Sequence, residues 1–425
     1  MKRFPCAHAR HPLWTVAVDQ VVAQLRAQLV LPDYARMPRL GLVYITDLYA
    51  LDAARILERL TAEIPSVADW AGATGVGVCA PATQYLYEPA LSVMLCDLPR
   101  DQYRVYSGVA PLPPAARFHP QMALVHADGD TPELTDLISE LAGRTGRGYL
   151  FGGVTATRGQ TAPQFAWSKK IGGSWPGGPD SVFHGGLSGV AFERGVTLAS
   201  RVAQGCRPIT PERLITAAED NLVLTLEGKP ALDVLIDDLA LQSNPLNQTQ
   251  VIWGQTLVGL ANPGEDGVRR TGDFGPGVQV RSLLGFEARR RAVLVTDSVS
   301  AGQRMALCRR DAQTARNDLV RACAEIREAL EPRQALAAGG GVAVSEAASP
   351  RIMGAHYVTC AARSGPYPGA LKTDLDIIRQ ALGDVPLTGF FGRGEISYRY
   401  GYGYTGVLTV FAENPDAAAW DNKFP

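Results

Sequence analysis

Three arginines stand where apolar, strand-like runs end beside glycine or proline. They are Arg207 in Gly205-Cys206-Arg207-Pro208, Arg363 in Cys360-Ala-Ala-Arg363, and Arg393 in Gly392-Arg393-Gly394-Glu395. A guanidinium is a rigid fork of donors that matches carboxylate and phosphate oxygens, so converging forks predict a site for a small anion. Pro208 holds Arg207 extended and fixes the direction in which its side chain leaves the backbone. Gly392 and Gly394 let the chain pass close to a bound group, and Glu395 adds a carboxylate. The competing reading of each arginine is an internal ion pair at a turn. The expected ligand-binding set is Gly205, Cys206, Arg207, Cys360, Arg363, Asp374, Gly392, Arg393, Gly394 and Glu395, with no catalytic residue, metal ligand or cofactor.

His356 and Cys360 invite a thiol–imidazole reading, but Tyr-Val-Thr between them favours a strand. Residues four apart on a strand share a face and stand about 13 Å apart, beyond hydrogen-bond reach. An enzyme would therefore have to use Cys360 or Cys206 with Asp374 or Glu395, the arginines lowering the thiol pKa. Gly401-Tyr-Gly-Tyr-Thr-Gly406 fits the GxGxxG string, yet a strand-like run (407–411) follows it, so it reads as a glycine hairpin. No GxxxxGK[ST], HExxH, GxSxG or kinase motif set is present.

The elements that must carry these residues are short and mixed. Helical spacing marks 16–29, 52–64 and a segment opened by Pro132, and strand-like runs include 40–46, 70–80, 90–98, 103–109, 122–128 and the long pair 185–193 and 196–204. Segments 131–154 and 372–396 repeat one grammar, a helix, a turn and a strand ending in FGG or FGRG. Strand 40–46 with helix 52–64 likewise parallels strand 305–308 with helix 311–330, which together read as an internal duplication. The fold class is α+β, two similar modules each with a mixed, largely antiparallel sheet and flanking helices. The glycine- and proline-rich stretch 172–179 reads as a mobile surface loop.

Of 425 residues, 46% are hydrophobic and 20% charged, ordinary globular usage that excludes disorder. No apolar run reaches the ~18 residues of a spanning helix, so membrane insertion is not expected. A net charge of −1 supplies no field for nucleic acid. Seven cysteines without a CxxC pair, and no signal-type start, predict reduced thiols in the cytoplasm.

The pieces GCRPI (205–209), LTLEGKPALDVL (224–235), RSLLGFEARRRAVLVTDSVSAGQRMALCRRD (281–311), YVTCAARSG (357–365) and VPLTGFFGRGEI (385–396) together resemble the FIST family of intracellular sensory proteins. The resemblance implies a FIST N-like module at 38–230 and a FIST C-like module at 231–425, behind a helical lead at 1–37. It further implies a cytoplasmic sensor for a small ligand, amino acids or other small carboxylates, working without its own output domain through a signalling partner that the sequence does not identify. An enzyme using a cysteine with a nearby carboxylate, and an interaction scaffold using the 172–179 loop, are the alternatives.

Overall fold

The computed structural model describes residues 2–413 apart from 115, 170–180, 240–255, 266, 269–273, 276, 332–350 and 364–372, so the 172–179 loop lies outside the described residues. The chain forms two compact units, a larger one from 1–203, 319–401 and 406–425 and a smaller one from 204–318 and 402–405.

The larger unit is a threefold repeat. Its first copy runs β1 (Cys6–Arg10), α1 (Trp14–Leu29), β2 (Leu40–Thr46), α2 (Ala53–Glu63), β3 (Asp69–Gly75), β4 (Gly77–Ala80), β5 (Thr83–Leu86) and β6 (Ala90–Cys96). The second runs β7 (Tyr103–Tyr106), β8 (Met122–Ala127), α3 (Leu134–Gly143), β9 (Tyr149–Val154), β10 (Gln164–Ser168), β11 (Val182–Phe183) and β12 (Leu187–Phe192). The third opens with β13 (Thr197–Ala203). The smaller unit then intervenes, with β14 (Cys206–Pro208), β15 (Arg213–Glu219), β16 (Leu222–Leu226), β17 (Lys229–Pro230), α4 (Ala231–Asp238), β18 (Thr256–Ala261), β19 (Gln279–Glu287), β20 (Ala292–Val295) and β21 (Arg304–Arg310). The third copy resumes with α5 (Ala312–Leu330), β22 (Ile352–Cys360), α6 (Asp374–Leu382), β23 (Leu387–Gly392), β24 (Gly394–Tyr398), β25 (Tyr400–Tyr402) and β26 (Gly406–Ala412).

Each copy builds the same part of a six-stranded sheet. Its central strand lies parallel to the strand after the crossover helix (β2 to β3, β8 to β9, β22 to β23) and antiparallel to its last strand (β6, β12, β26). The edge beyond is β1, β7 or β13. Each sheet is completed by a hairpin from a different copy: β10–β11 beside β3, β24–β25 beside β9, and β4–β5 beside β23. The inner faces share one apolar core that includes Tyr44, Leu124, Phe151, Val358 and Phe390. The outer faces carry the helices, α1 and α2 on the first sheet, α3 on the second, α5 and α6 on the third. Burial on both faces is why β2 reads as a continuous apolar run rather than an alternation.

One glycine marks the repeat. Gly72, Gly152 and Gly389 stand in register with Val43, Val125 and Tyr357 of the parallel neighbour. A Cβ at these glycines would lie 1.7, 1.9 and 1.8 Å from the carbonyl oxygen of that neighbour, so no side chain fits.

The α+β reading holds, and segments 131–154 and 372–396 do occupy equivalent places, as two of the three copies. The other proposed parallel does not hold. Strand 304–310 belongs to the smaller unit's sheet, and the counterparts of β2–α2–β3 are β8–α3–β9 and β22–α6–β23. Nor do 185–193 and 196–204 pair with each other, since β12 lies beside β8 and β7 while β13 lies beside β26. Hairpin spacing alone cannot reveal a strand that leaves for another sheet.

In the smaller unit β21 pairs antiparallel with both β15 and β18, so the sheet through β16, β20 and β19 closes on itself and those strands have no free edge. Ile215, Val223, Val258, Val293 and Leu307 fill it, with α4 packed on β16 and β20. Among the described residues no helix is long and apolar enough to cross a membrane, and all seven cysteines are free and buried.

Candidate functional site

The larger unit gathers Cys360, Arg363, Asp374 and the Gly392–Glu395 turn at the carboxyl ends of β22 and β23. Thr373 caps α6 through the Asp376 N–H, and Asp376 returns the bond to the Thr373 N–H, which sets Asp374 in the first turn. The Asp374 carboxylate accepts the Arg363 Nε–H at 3.0 Å and the Tyr357 hydroxyl at 2.6 Å. Arg363 also donates from Nη1 to the Ala203 carbonyl at 3.1 Å, and its side chain is 3% exposed. Burial works against that charge, but Asp374, Tyr357 and Glu395 outweigh it and raise the guanidinium pKa. Arg393 turns instead to Asp130, Nη1 to Oδ1 at 3.0 Å, on the surface. Its carboxylate is not Glu395, which is fully buried. The close approach that Gly392 permits is to Val154, whose carbonyl oxygen would lie 2.5 Å from a Cβ there. Cys360 ends β22 with its thiol 4.0 Å from the Arg393 carbonyl.

Gly205, Cys206 and Arg207 belong to the smaller unit. Cys206 is buried with Cys308, Leu257 and Phe274, and Arg207, exposed, lies in register with Arg309 of β21. The Asp311 carboxyl is held below its usual range by the Thr314 hydroxyl and N–H, then by Arg207 and Arg309. Arg363 and Arg393 thus engage different carboxylates, and Arg207 neutralises a third nearby.

His356 does not face Cys360 chemically. Its Nε2 lies 2.7 Å from the Tyr44 hydroxyl, whose oxygen also lies 3.0 Å from His126 Nε2. One hydroxyl proton can serve only one imidazole, so the second ring donates its own Nε2–H and the two rings are opposite tautomers. Burial depresses both imidazoles, His356 to about 3 and His126, also facing His356, well below its usual value. Tyr44 stacks on Phe390 at 5.3 Å in the shared core. The sequence reading missed this network; its only signal was a polar ring inside each of three apolar central strands.

A cleft of about 170 Å³ was also not anticipated. It opens between α6 with the loop into β23 and the first copy's N-terminal segment, α1 and β4–β5 turn. Leu375, Ile378 and Leu387 make it apolar on one side, and Arg3, Tyr34 and Arg379 bring polar groups. Arg379 pairs with Asp384 at 2.7 Å, whereas among the described residues no carboxylate pairs with Arg3. The one thiol in it, Cys6, donates to the Leu387 carbonyl at 3.2 Å and is pushed up to about 12 by burial. None of the residues expected from sequence lines this cleft.

Comparison with known proteins matches the FIST N domain to residues 39–229 and the FIST C domain to residues 231–398. An uncharacterized protein of Mycobacterium tuberculosis is 30% identical over 236 residues, covering 55% of each chain. An uncharacterized protein of Mycobacterium bovis is 30% identical over 247 residues with the same coverage. The match spans about half the length of these relatives.

Proposed function

The chain belongs to the FIST family, whose domains are sensory domains of signal-transduction proteins, and on that premise we propose that it senses a small carboxylate, such as an amino acid, in the cytoplasm and reports to a separate signalling partner. The observation that carries this reading is the cleft that holds Arg3 and Arg379 beside an apolar wall. Two arginines against one aspartate leave it one positive charge in excess, which suits one carboxylate. Its thiol is the wrong kind for nucleophilic chemistry, because burial holds Cys6 protonated at neutral pH.

Thermal-shift titration of the full chain with amino acids and simple carboxylates tests the reading. A ligand that binds only the native state raises Tm with its concentration, and Arg3→Ala should remove that rise. A flat Tm across all carboxylates would overturn it.

A further inference from the structure

The threefold repeat makes the cleft comparable with two other corners of the same unit. Counting back three residues from the marker glycines gives Asp69, Tyr149 and Pro386 at one equivalent position. The hairpin strands place Phe165, Ile396 and Cys79 opposite those glycines or in register with them, and two residues further on stand Trp167, Tyr398 and Pro81. The repeat therefore has three corners, and their contents differ.

Two corners are closed by their own side chains. In the first, Asp69 accepts the Tyr103 hydroxyl at 2.6 Å and the Ser168 hydroxyl, and Tyr103 is buried. In the second, the Tyr149 and Tyr398 rings pack with centroids 4.4 Å apart, and Tyr149 is tied to Ser397 at 3.2 Å. In the third, both positions are proline, Pro386 and Pro81, and both line the cleft. Trp167 of the first copy turns to the other face of its sheet beside Trp70, so the ring pair is particular to the second copy, where Tyr398 takes a left-handed backbone (φ +53°) closed to proline. Neither Pro386 nor Pro81 carries a ring that could pack as Tyr149 and Tyr398 do, and the space between them stays open.

We propose that this open corner takes a small aromatic carboxylate, whose ring supplies what Tyr149 and Tyr398 supply in the equivalent corner and whose carboxylate meets Arg3. This rests on the carboxylate-sensing reading above and narrows it. The size agrees, since an apolar cavity of about 150 Å³ accepts benzene and this cleft offers about 170 Å³ with its charged groups at hand. Tyr34, which also lines the cleft, offers an aromatic face for offset or edge packing that a branched aliphatic chain of similar bulk cannot use.

The test is calorimetric titration of the full chain with phenylacetate and L-phenylalanine against acetate, succinate and L-leucine. The aromatic acids should bind at least tenfold more tightly than any aliphatic one. Pro81→Tyr adds a ring to the lining of the cleft and should abolish binding while the far-UV spectrum and Tm stay native. Arg3→Ala, which leaves both prolines and the apolar wall in place, should weaken phenylacetate at least tenfold and guards against misfolding of the first variant. Aliphatic acids binding as tightly as aromatic ones, still through Arg3, would overturn the aromatic assignment and leave the carboxylate reading standing. No carboxylate binding at all would overturn both, and aromatic binding that survives both substitutions would overturn the site.

Discussion

Tyr44 Oη lies 2.7 Å from His356 Nε2, although the two residues are 312 positions apart in the chain. The bond joins the central strand of the first copy to that of the third, and His126 of the second copy reaches the same hydroxyl. One phenol thus ties the three sheets at their common core, in a place closed to water.

That closure predicts acid sensitivity. His356 has a folded pKa of about 3 against about 6.5 unfolded, so the unfolded chain binds more protons between those values. Stability is then complete above about pH 6.5 and falls as pH drops toward 3, by up to about 1.4 kcal/mol per pH unit for each such histidine. Urea midpoints between pH 7.5 and 4.5 should fall steeply for the wild type and less for His356→Gln. Equal slopes would show that this imidazole is not held neutral.

The Arg363–Asp374 pair should behave as a buried ion pair. Its guanidinium is 3% exposed, so Asp374→Ala strands a charge inside the protein and should cost about 3–5 kcal/mol. Arg363→Met combined with Asp374→Leu should recover most of that loss, because no unpaired charge remains. Chemical denaturation of the two variants and the wild type reads both numbers, and Asp374→Ala within 1 kcal/mol of the wild type would contradict the burial.

Arg393 makes the opposite case. Its pair with Asp130 is largely exposed, 59% and 83%, so Arg393→Ala should cost less than about 1 kcal/mol. Affinity for a carboxylate bound in the cleft should not change. A ten- to hundredfold loss of affinity with an unchanged Tm, partly rescued by Arg393→Lys, would instead return the site to the strand ends, where the residue pattern first suggested it.

Gly152 has φ of +143° and a Cβ there would lie 1.9 Å from the Val125 carbonyl oxygen. Gly152→Ala must therefore separate β8 from β9, and a loss of the order of 3 kcal/mol or insoluble protein is expected. Gly143→Ala, where nothing lies within 4 Å of the added carbon, is the matched control and should be tolerated. If both variants melted alike, the close approach would not be the cause.

Much of the local structure is legible in the residue pattern because it is decided locally. The apolar stripe Ile56, Leu57 and Leu60 makes α2 a one-sided helix wherever it docks. The glycine run 401–406 could not open a helix because Val407 to Phe411 favour a strand, and β26 follows. The family resemblance was likewise readable in short segments such as GCRPI and VPLTGFFGRGEI, which need no partner to be recognised.

Partners were not legible. Arg363 and Arg393 look alike as strand-end arginines, but one is buried on Asp374 and the other meets Asp130 on the surface; only the path of distant strands distinguishes them. His356, Tyr44 and His126 carry no shared motif, since their meeting depends on three parallel crossovers bringing three central strands to one core. The strand exchange that sets Pro81 beside Pro386 joins residues about three hundred positions apart. Amino-acid pattern by itself determined which segments are helices and strands and which family the chain resembles, because those follow from backbone preference and the side chain's affinity for water. Which groups face one another, and which corner stays open, was decided only by tertiary packing, because contact between remote residues depends on where every intervening strand goes.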